Sequence, residues 1–290
     1  MSVDKTTSDN SKHFGDVTSI CYYNGHLFSA GSDAKIKIWN KDLTFKDEIN
    51  IHEAHIYCII VDKTGRLYTS SCDGTIKSIE KPLESSEFTV VLQHENEIEA
   101  LFSDDDLTFY CGDDKGGISI FKEGKFQFMM NIVEHVKGLF VEKGFIYTLA
   151  CMDLSIHEIR GTKYIMKGSV PGKFPVTLFG EKIDGRSNYI AITTRDGLGV
   201  AVIDNKTFKI IDTKENAHDM IINYMKGIGD VLFACDYAGK VTKYHMIDGK
   251  LKEIATVSTS SGCANCIEVV DDKTVYVGSS DGTVKRINFN

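Results

Sequence analysis

The 290 residues are enough for one large single-core domain or two ordinary ones. Lys and Arg number 33 against 41 Asp and Glu, a net charge of −8 that lacks the basic excess needed to grip a nucleic-acid backbone. A hydrophobic fraction of 42% argues against wholesale disorder, and no apolar run approaches the roughly 18 to 20 residues that span a bilayer, so membrane insertion is not expected.

The first residues, Met1 to Lys5, are polar and carry no apolar leader, so a cytoplasmic or nuclear location, or both, is the expectation. Thereafter one pattern recurs: an apolar stretch, a short gap, a second stretch, a turn containing Asp or Gly, and a third stretch. The third stretches are Ile36–Trp39, Ile76–Ile79, Ile118–Phe121, Ile156–Ile159, Val200–Ile203, Val241–Tyr244 and Val284–Ile287. Their closing residues lie about 41 apart on average, which predicts seven repeats. Within them β-branched residues alternate with polar ones at the period of two that marks strands. The turns Ser32-Asp33, Cys72–Gly74, Arg195–Gly197 and Ser280–Gly282 supply residues that tolerate a left-handed backbone. The best helical candidate, Ala217–Met225, equally fits the opening strand of repeat six. Three prolines suit a ladder-rich, all-β chain, because proline removes a donor.

Chemistry-bearing motifs are scarce. Cys21, Cys58, Cys111, Cys151 and Cys235 stand singly in apolar stretches, as small core residues do. The pair Cys263 and Cys266 has no second CxxC and no spaced histidines to complete a zinc site. Asn205–Thr207 is a glycosylation sequon that, without a leader, is expected to stay unmodified. Asp113–Gly117 lacks the ligand spacing of a calcium loop and reads as a turn. There is no phosphate-binding loop, nucleophile elbow or HExxH segment. No catalytic residue, metal or cofactor is therefore expected.

The repeats share a further set of polar residues. Repeat one carries His13, Ser29, Asp33 and Trp39; repeat two carries His52, Thr69 and Asp73, with Ile79 in the Trp place. Repeat three has His94 and Asp114 with Phe121, and Asp153, Asp196 and Asp281 mark the same turn in repeats four, five and seven, where repeat six has Ala238. On these residues the sequence resembles the WD-repeat (WD40) family of β-propellers. The resemblance implies one domain over residues 1–290, a seven-bladed WD40-type propeller of four-stranded antiparallel blades, with His, Ser or Thr, Asp and Trp in a buried tetrad. Leu149, Ile192 and Val277 would put apolar contacts in the Ser/Thr place. It also implies that an N-terminal strand closes the ring, with residues 1–12 as strand and linker, because Asn290 follows the third stretch of repeat seven at once. No Gly precedes the histidines, and the segments after Trp39 and Ile159 lack the WDxR pattern that docks substrate receptors to a ligase adaptor.

In WD-repeat propellers partners commonly dock on the face carrying the loop before each first strand and the turn before each third. The resemblance puts Phe14, Asp16, Glu53, His55, Glu95, Glu97, Asp113, His135, Phe174, Arg195, Met220 and Tyr237 there. His55 and His135 belong to non-adjacent repeats, so they are expected to face solvent or a partner rather than share an ion. An arc of acids beside Phe14, Phe174 and Tyr237 is what a groove for a basic peptide needs. The expected function is a non-enzymatic scaffold or adaptor, a monomer within a larger complex, that binds proteins or peptides with basic segments. The alternative is an architectural subunit of a coat, pore or cytoskeletal assembly, held through its blade edges.

Overall fold

The computed structural model describes residues 2–104, 107–122, 125–132, 134–149, 152–259 and 262–289; Cys151 and Asn290 lie outside them. The chain opens with Ser2–Thr6 (β1). Blade one is Val17–Tyr23 (β2), His26–Gly31 (β3), Lys35–Asn40 (β4) and Phe45–Asn50 (β5). Blade two is Ile56–Val61 (β6), Leu67–Ser71 (β7), Thr75–Ile79 (β8) and Thr89–Gln93 (β9). Blade three is Ile98–Ser103 (β10), Thr108–Asp113 (β11), Gly117–Lys122 (β12) and Lys125–Asn131 (β13). Blade four is Gly138–Glu142 (β14), Phe145–Leu149 (β15), Asp153–Arg160 (β16) and Lys163–Pro171 (β17). Blade five is Lys173–Ile183 (β18), Arg186–Thr193 (β19), Val200–Asp204 (β20) and Lys209–Lys214 (β21). Blade six is Ile222–Ile228 (β22), Val231–Asp236 (β23), Lys240–Ile247 (β24) and Lys250–Ser258 (β25). Blade seven is Ala264–Val269 (β26), Thr274–Ser279 (β27) and Val284–Asn288 (β28), with β1 as its outer strand. Every sheet is antiparallel, and the described residues contain no helix; the ambiguous segment 217–225 runs into β22.

A blade is apolar on both faces, so its strands gain stability only when a neighbour covers each side. The core is accordingly seven cores, one per blade interface. Phe28 and Ile38 of blade one meet Ile56, Ile59 and Leu67 of blade two, and Ile156 and Val170 of blade four meet Val176 and Ile190 of blade five. The interface that shuts the circle sets Val17, Leu27 and Trp39 against Cys266, Tyr276 and Val284. Each fully buried Val, Ile or Leu there contributes roughly 1.5 to 3 kcal/mol. Closure is secured by the ladder between β1 and β28, in which Ser2 pairs with Asn288 and Thr6 with Lys285. Just beyond it, Thr7 N–H donates to the Val284 carbonyl at 3.0 Å, and Val284 N–H donates to Thr7 Oγ1 at 3.1 Å.

Two positions differ from the sequence reading. In blades one, three, four, five and six the ladder to the outer strand shifts by one residue at the Trp place, occupied by Trp39, Phe121, His157, Ile203 and Tyr244. Blade four thus has His157 there, two residues before Ile159 and five after the turn residue Met152, as Trp39 is five after Ala34; its ring lies edge-on to Tyr164 at 5.8 Å, although Tyr164 stands across the ladder from Ile159. The apolar signal of Ile159 masks this because both side chains fall on the same strand face. The same register puts Thr148, not Leu149, in the Ser/Thr place: Thr148 Oγ1 donates to the Ser155 carbonyl at 3.4 Å, as Thr69 Oγ1 does to Lys77 at 3.3 Å.

Candidate interaction face

One hydrogen bond repeats around the ring and builds the face. The N–H four residues before each blade's core-facing entry residue, or five before it in blade seven, donates to the carbonyl of the preceding blade's turn. The bonds are His13 to Gly282, His52 to Ala34, His94 to Gly74, Ile132 to Gly116, Gly172 to Met152, His218 to Leu198 and Thr259 to Gly239. Loops and turns of adjacent blades therefore share one plane. A second bond pins the exposed turn residue to the loop of its own blade: Ser32 N–H to the Asp16 carbonyl, Cys72 to His55, Asp114 to Glu97, Tyr237 to Ile221 and Ser280 to Cys263. Gly282, at φ 80°, closes its turn so tightly that a Cβ would lie 2.2 Å from the His13 carbonyl oxygen.

Beneath this plane lie the tetrads. In blade one His13 Nδ1 is 2.9 Å from Asp33 Oδ1 and Nε2 is 2.7 Å from Ser29 Oγ, which also accepts from Trp39 Nε1 at 2.8 Å. Burial pushes the Asp33 carboxyl up, but hydrogen bonds from His13 and from the N–H groups of Phe14 and Lys35 outweigh it and hold the pKa below the usual range. In blade two His52 bridges Asp73 at 2.8 Å and Thr69 at 2.7 Å.

Blades three and six deliver the carboxylate differently. His218 Nδ1 lies 2.8 Å from Asp236 Oδ2, with both side chains wholly buried. Asp236 is the last residue of β23, three before the turn glycine rather than one, and its Oδ1 accepts from the N–H groups of Ala238 and Lys240 at 2.9 Å each. Asp113 ends β11 in the same way: its Oδ1 accepts from Lys115 and Gly117, and its Oδ2 lies 3.9 Å from His94 Nε2. Asp113 is thus a buried turn-builder and not a surface acid, and Asp114, read as its blade's tetrad residue, is half-buried and paired with Lys115. His218 likewise serves as its blade's structural histidine. A histidine 18 to 21 residues before its aspartate in all four pairs is the signal that would have found them.

The remaining face residues fall into two groups. On blades one to three, Asp16, Glu53, Glu95 and Glu97 are exposed, and among the described residues none has a Lys or Arg within ion-pair distance. Glu97 accepts from the Tyr57 hydroxyl, and Glu99 at the mouth lies 3.0 Å from His135 Nε2. Phe14 is 94% exposed, yet its N–H is fixed to Asp33 Oδ2 at 3.0 Å. His55, half-buried against the Tyr57 ring, has its pKa lowered by burial, against the pull of Asp16, Glu99 and Glu97. Blades four to six present His135, Lys173, Arg195, Met220, Ile221 and Tyr237, with Phe174 half-buried edge-on to Tyr224.

The face opens into a central channel of about 820 Å³ lined by the inner strands of all seven blades. Inside it Lys226 pairs with Glu268. The two CxxC thiols differ in surroundings: Cys266 is packed at the seven–one interface, whereas Cys263 at the mouth takes a hydrogen bond from Asn223 and is pushed up to about 11 by burial.

A family model described as "WD domain, G-beta repeat" matches residues 5–40 and 45–78, the first two repeats. The chain is similar to a Lotus japonicus protein named "Putative E3 ubiquitin-protein ligase LIN-1" (22% identity) and to a Medicago truncatula protein named "Putative E3 ubiquitin-protein ligase LIN" (24%). Each match covers 93% of this chain and spans only 18% of the relative. Among solved structures it superimposes on the RRP9 WD40 repeats with a TM-score of 0.82, at 12% identity and over 99% of both chains. The WD40 β-propeller domain of Doa1 gives 0.78 at 14% identity, over 100% of this chain and 97% of that one. WD40 propellers bind other proteins, occur in complexes and are in general non-catalytic scaffolds. The shared seven-bladed ring is the WD40-type β-propeller fold, and residues 5–40 and 45–78 carry the WD-repeat match.

Proposed function

We propose that this propeller is a non-enzymatic interaction platform that holds partner proteins in a larger assembly, in the cytoplasm, the nucleus or both, and that it engages a Lys- or Arg-containing segment across blades one to three. The observation that carries the reading is the set of four exposed carboxylates without a basic partner, Asp16, Glu53, Glu95 and Glu97, beside a fully presented Phe14. A rim of one sign steers an oppositely charged segment, and an aromatic anchor provides the affinity. The tetrad histidines are committed to structural hydrogen bonds, which leaves recognition as the role of the face. The curated relatives named as ligases are much longer than the matching region, and a module that brings a partner to an activity housed elsewhere is in keeping with that proportion.

Reversing Glu53, Glu95 and Glu97 to Lys should remove a defined set of partners from an affinity purification of the whole chain, and Phe14→Ala should weaken the same set by about tenfold or more. An unchanged partner set in both variants would overturn the reading.

Acid should weaken the interaction in a particular window. Because burial lowers the pKa of His55, it stays neutral at pH 7 and gains its proton below the ordinary value of 6.5. The new cation then sits among Asp16, Glu97 and Glu99 and offsets their field. Affinity for a lysine-rich peptide, followed by fluorescence anisotropy, should be flat from pH 8 to 6.5 and fall between 6.5 and 5, and His55→Gln should flatten that fall.

A further inference from the structure

The outer strands β9, β13 and β17 all lack an acid, and β17 alone of the three carries two lysines and three consecutive exposed apolar residues. Each blade leaves the outer edge of its last strand unpaired, and exposed edges are normally guarded by charged side chains, by proline, by bulges or by covering contacts. Strand β1 carries Asp4 bonded to Arg286. Strand β5 carries Lys46, Asp47 and Glu48, with Glu48 paired to Lys35 and Lys37. In β25 the Leu251 N–H is taken by Asp212 Oδ2 at 2.8 Å. Strand β17 is guarded by lysines of one sign and by Pro171 at its end, with Lys167 tied to Glu158 and the Tyr164 hydroxyl donating to the Asn131 carbonyl at 3.4 Å. Its nine residues contain no acid, and Tyr164, Ile165 and Met166 are consecutive and exposed by 38, 44 and 55%. Their alternation leaves apolar surface on both faces of the strand at its free edge.

The charges on this strand are Lys163 and Lys167; Lys167 leans on Glu158 at 3.2 Å, and Lys163 has no acid within ion-pair distance among the described residues. Beside the far end of β17, an open cavity of about 460 Å³ between blades four and five has Pro171, Ala201 and Ile210 on its wall and Thr194, Arg195, Asp196, Thr213 and Glu215 around them. A second copy does not fit this edge. Antiparallel self-pairing centred on Ile165 sets Lys163 against Lys167, parallel pairing sets each lysine against itself, and like charges directly opposite are destabilising.

We propose that β17 is a docking edge for an extended segment of a partner protein that alternates apolar and acidic residues. The segment adds as a fifth strand to blade four, sets carboxylates against Lys163 and Lys167, and lays an apolar side chain in the cavity beside Pro171 and Ile210. Main-chain hydrogen bonds supply affinity and the lysines supply selectivity. This surface is separate from the acidic face and asks for the opposite charge.

The test uses the whole chain and a capped nine-residue peptide of alternating glutamate and valine, with a lysine–valine peptide as its counterpart. The glutamate peptide should bind at least tenfold tighter and slow amide exchange in residues 163–171. Lys163→Glu with Lys167→Glu, two surface changes checked by an unchanged melting curve, should reverse the preference. The Glu53, Glu95 and Glu97 reversals should leave binding as it was. Protection confined to the channel mouth, equal binding of both peptides, unchanged binding to the lysine variant, or a wild-type dimer that buries β17 would each overturn the proposal.

Discussion

Removing residues 2–7 should lower the unfolding free energy by about 3 to 6 kcal/mol. The figure follows from the bonds lost: a ladder of four residue pairs between β1 and β28, plus the two bonds between Thr7 and Val284, each worth roughly 0.5 to 1.5 kcal/mol net, with the lower values for the exposed ones. Burial adds little, because β1 is largely exposed and only Val3 packs against the core between blades six and seven. The loss is nevertheless costly in kind. Without β1, blade seven keeps three strands and β28 becomes an open edge over Val284 and Ile287, both wholly buried in the intact ring. Urea titration of the truncated chain should show the drop, and a synthetic peptide of residues 1–12 added in trans should restore most of it. A truncated chain with an unchanged midpoint, or one indifferent to the peptide, would show that the ring is held by interface packing alone.

The ring was legible in the sequence because recurrence is a global signal: seven spaced stretches survive the loss of any one motif. Strand type was equally open to reading, since Ile36, Ile38 and their equivalents alternate visibly. What stayed hidden were choices settled by register. A bulge costs one residue and leaves no compositional mark, so nothing in Ile156–Arg160 says that His157 rather than Ile159 stands where blade one has Trp39. The carboxylates of blades three and six were hidden for a related reason. The family pattern asks for Asp just before the turn glycine, and Asp114 and Ala238 draw the eye to the turn while the working acids, Asp113 and Asp236, end the preceding strand. The acidic arc was readable as a list of positions but not as a face, because it depends on hydrogen bonds between backbones of successive blades that no side chain announces.

The strand-end carboxylate of blade six makes the sharpest test of that register. Asp236→Ala should destabilise the protein by about 3 to 5 kcal/mol, the cost of removing one member of a buried charged or strongly polar pair. Three groups lose their acceptor at once: His218 Nδ1 and the N–H groups of Ala238 and Lys240. His218 cannot turn elsewhere, because its Nε2 is already buried without a partner and its ring is closed in beside Tyr244. Asp196→Ala, in the equivalent turn of blade five, is the control. That carboxylate is exposed, accepts from Thr194 and Leu198, and among the described residues pairs with no histidine, so its loss should cost no more than about 1 kcal/mol. Urea denaturation of both variants separates the cases, and a double-mutant cycle with His218→Ala isolates the pair. A coupling energy near zero, or equal costs for Asp196 and Asp236, would mean that blade six is held by its apolar interfaces and that the buried His–Asp pair is incidental. The expected asymmetry would instead show that one tetrad can be served from two places on the chain, which is why blade six keeps its geometry with alanine in the family's Asp position.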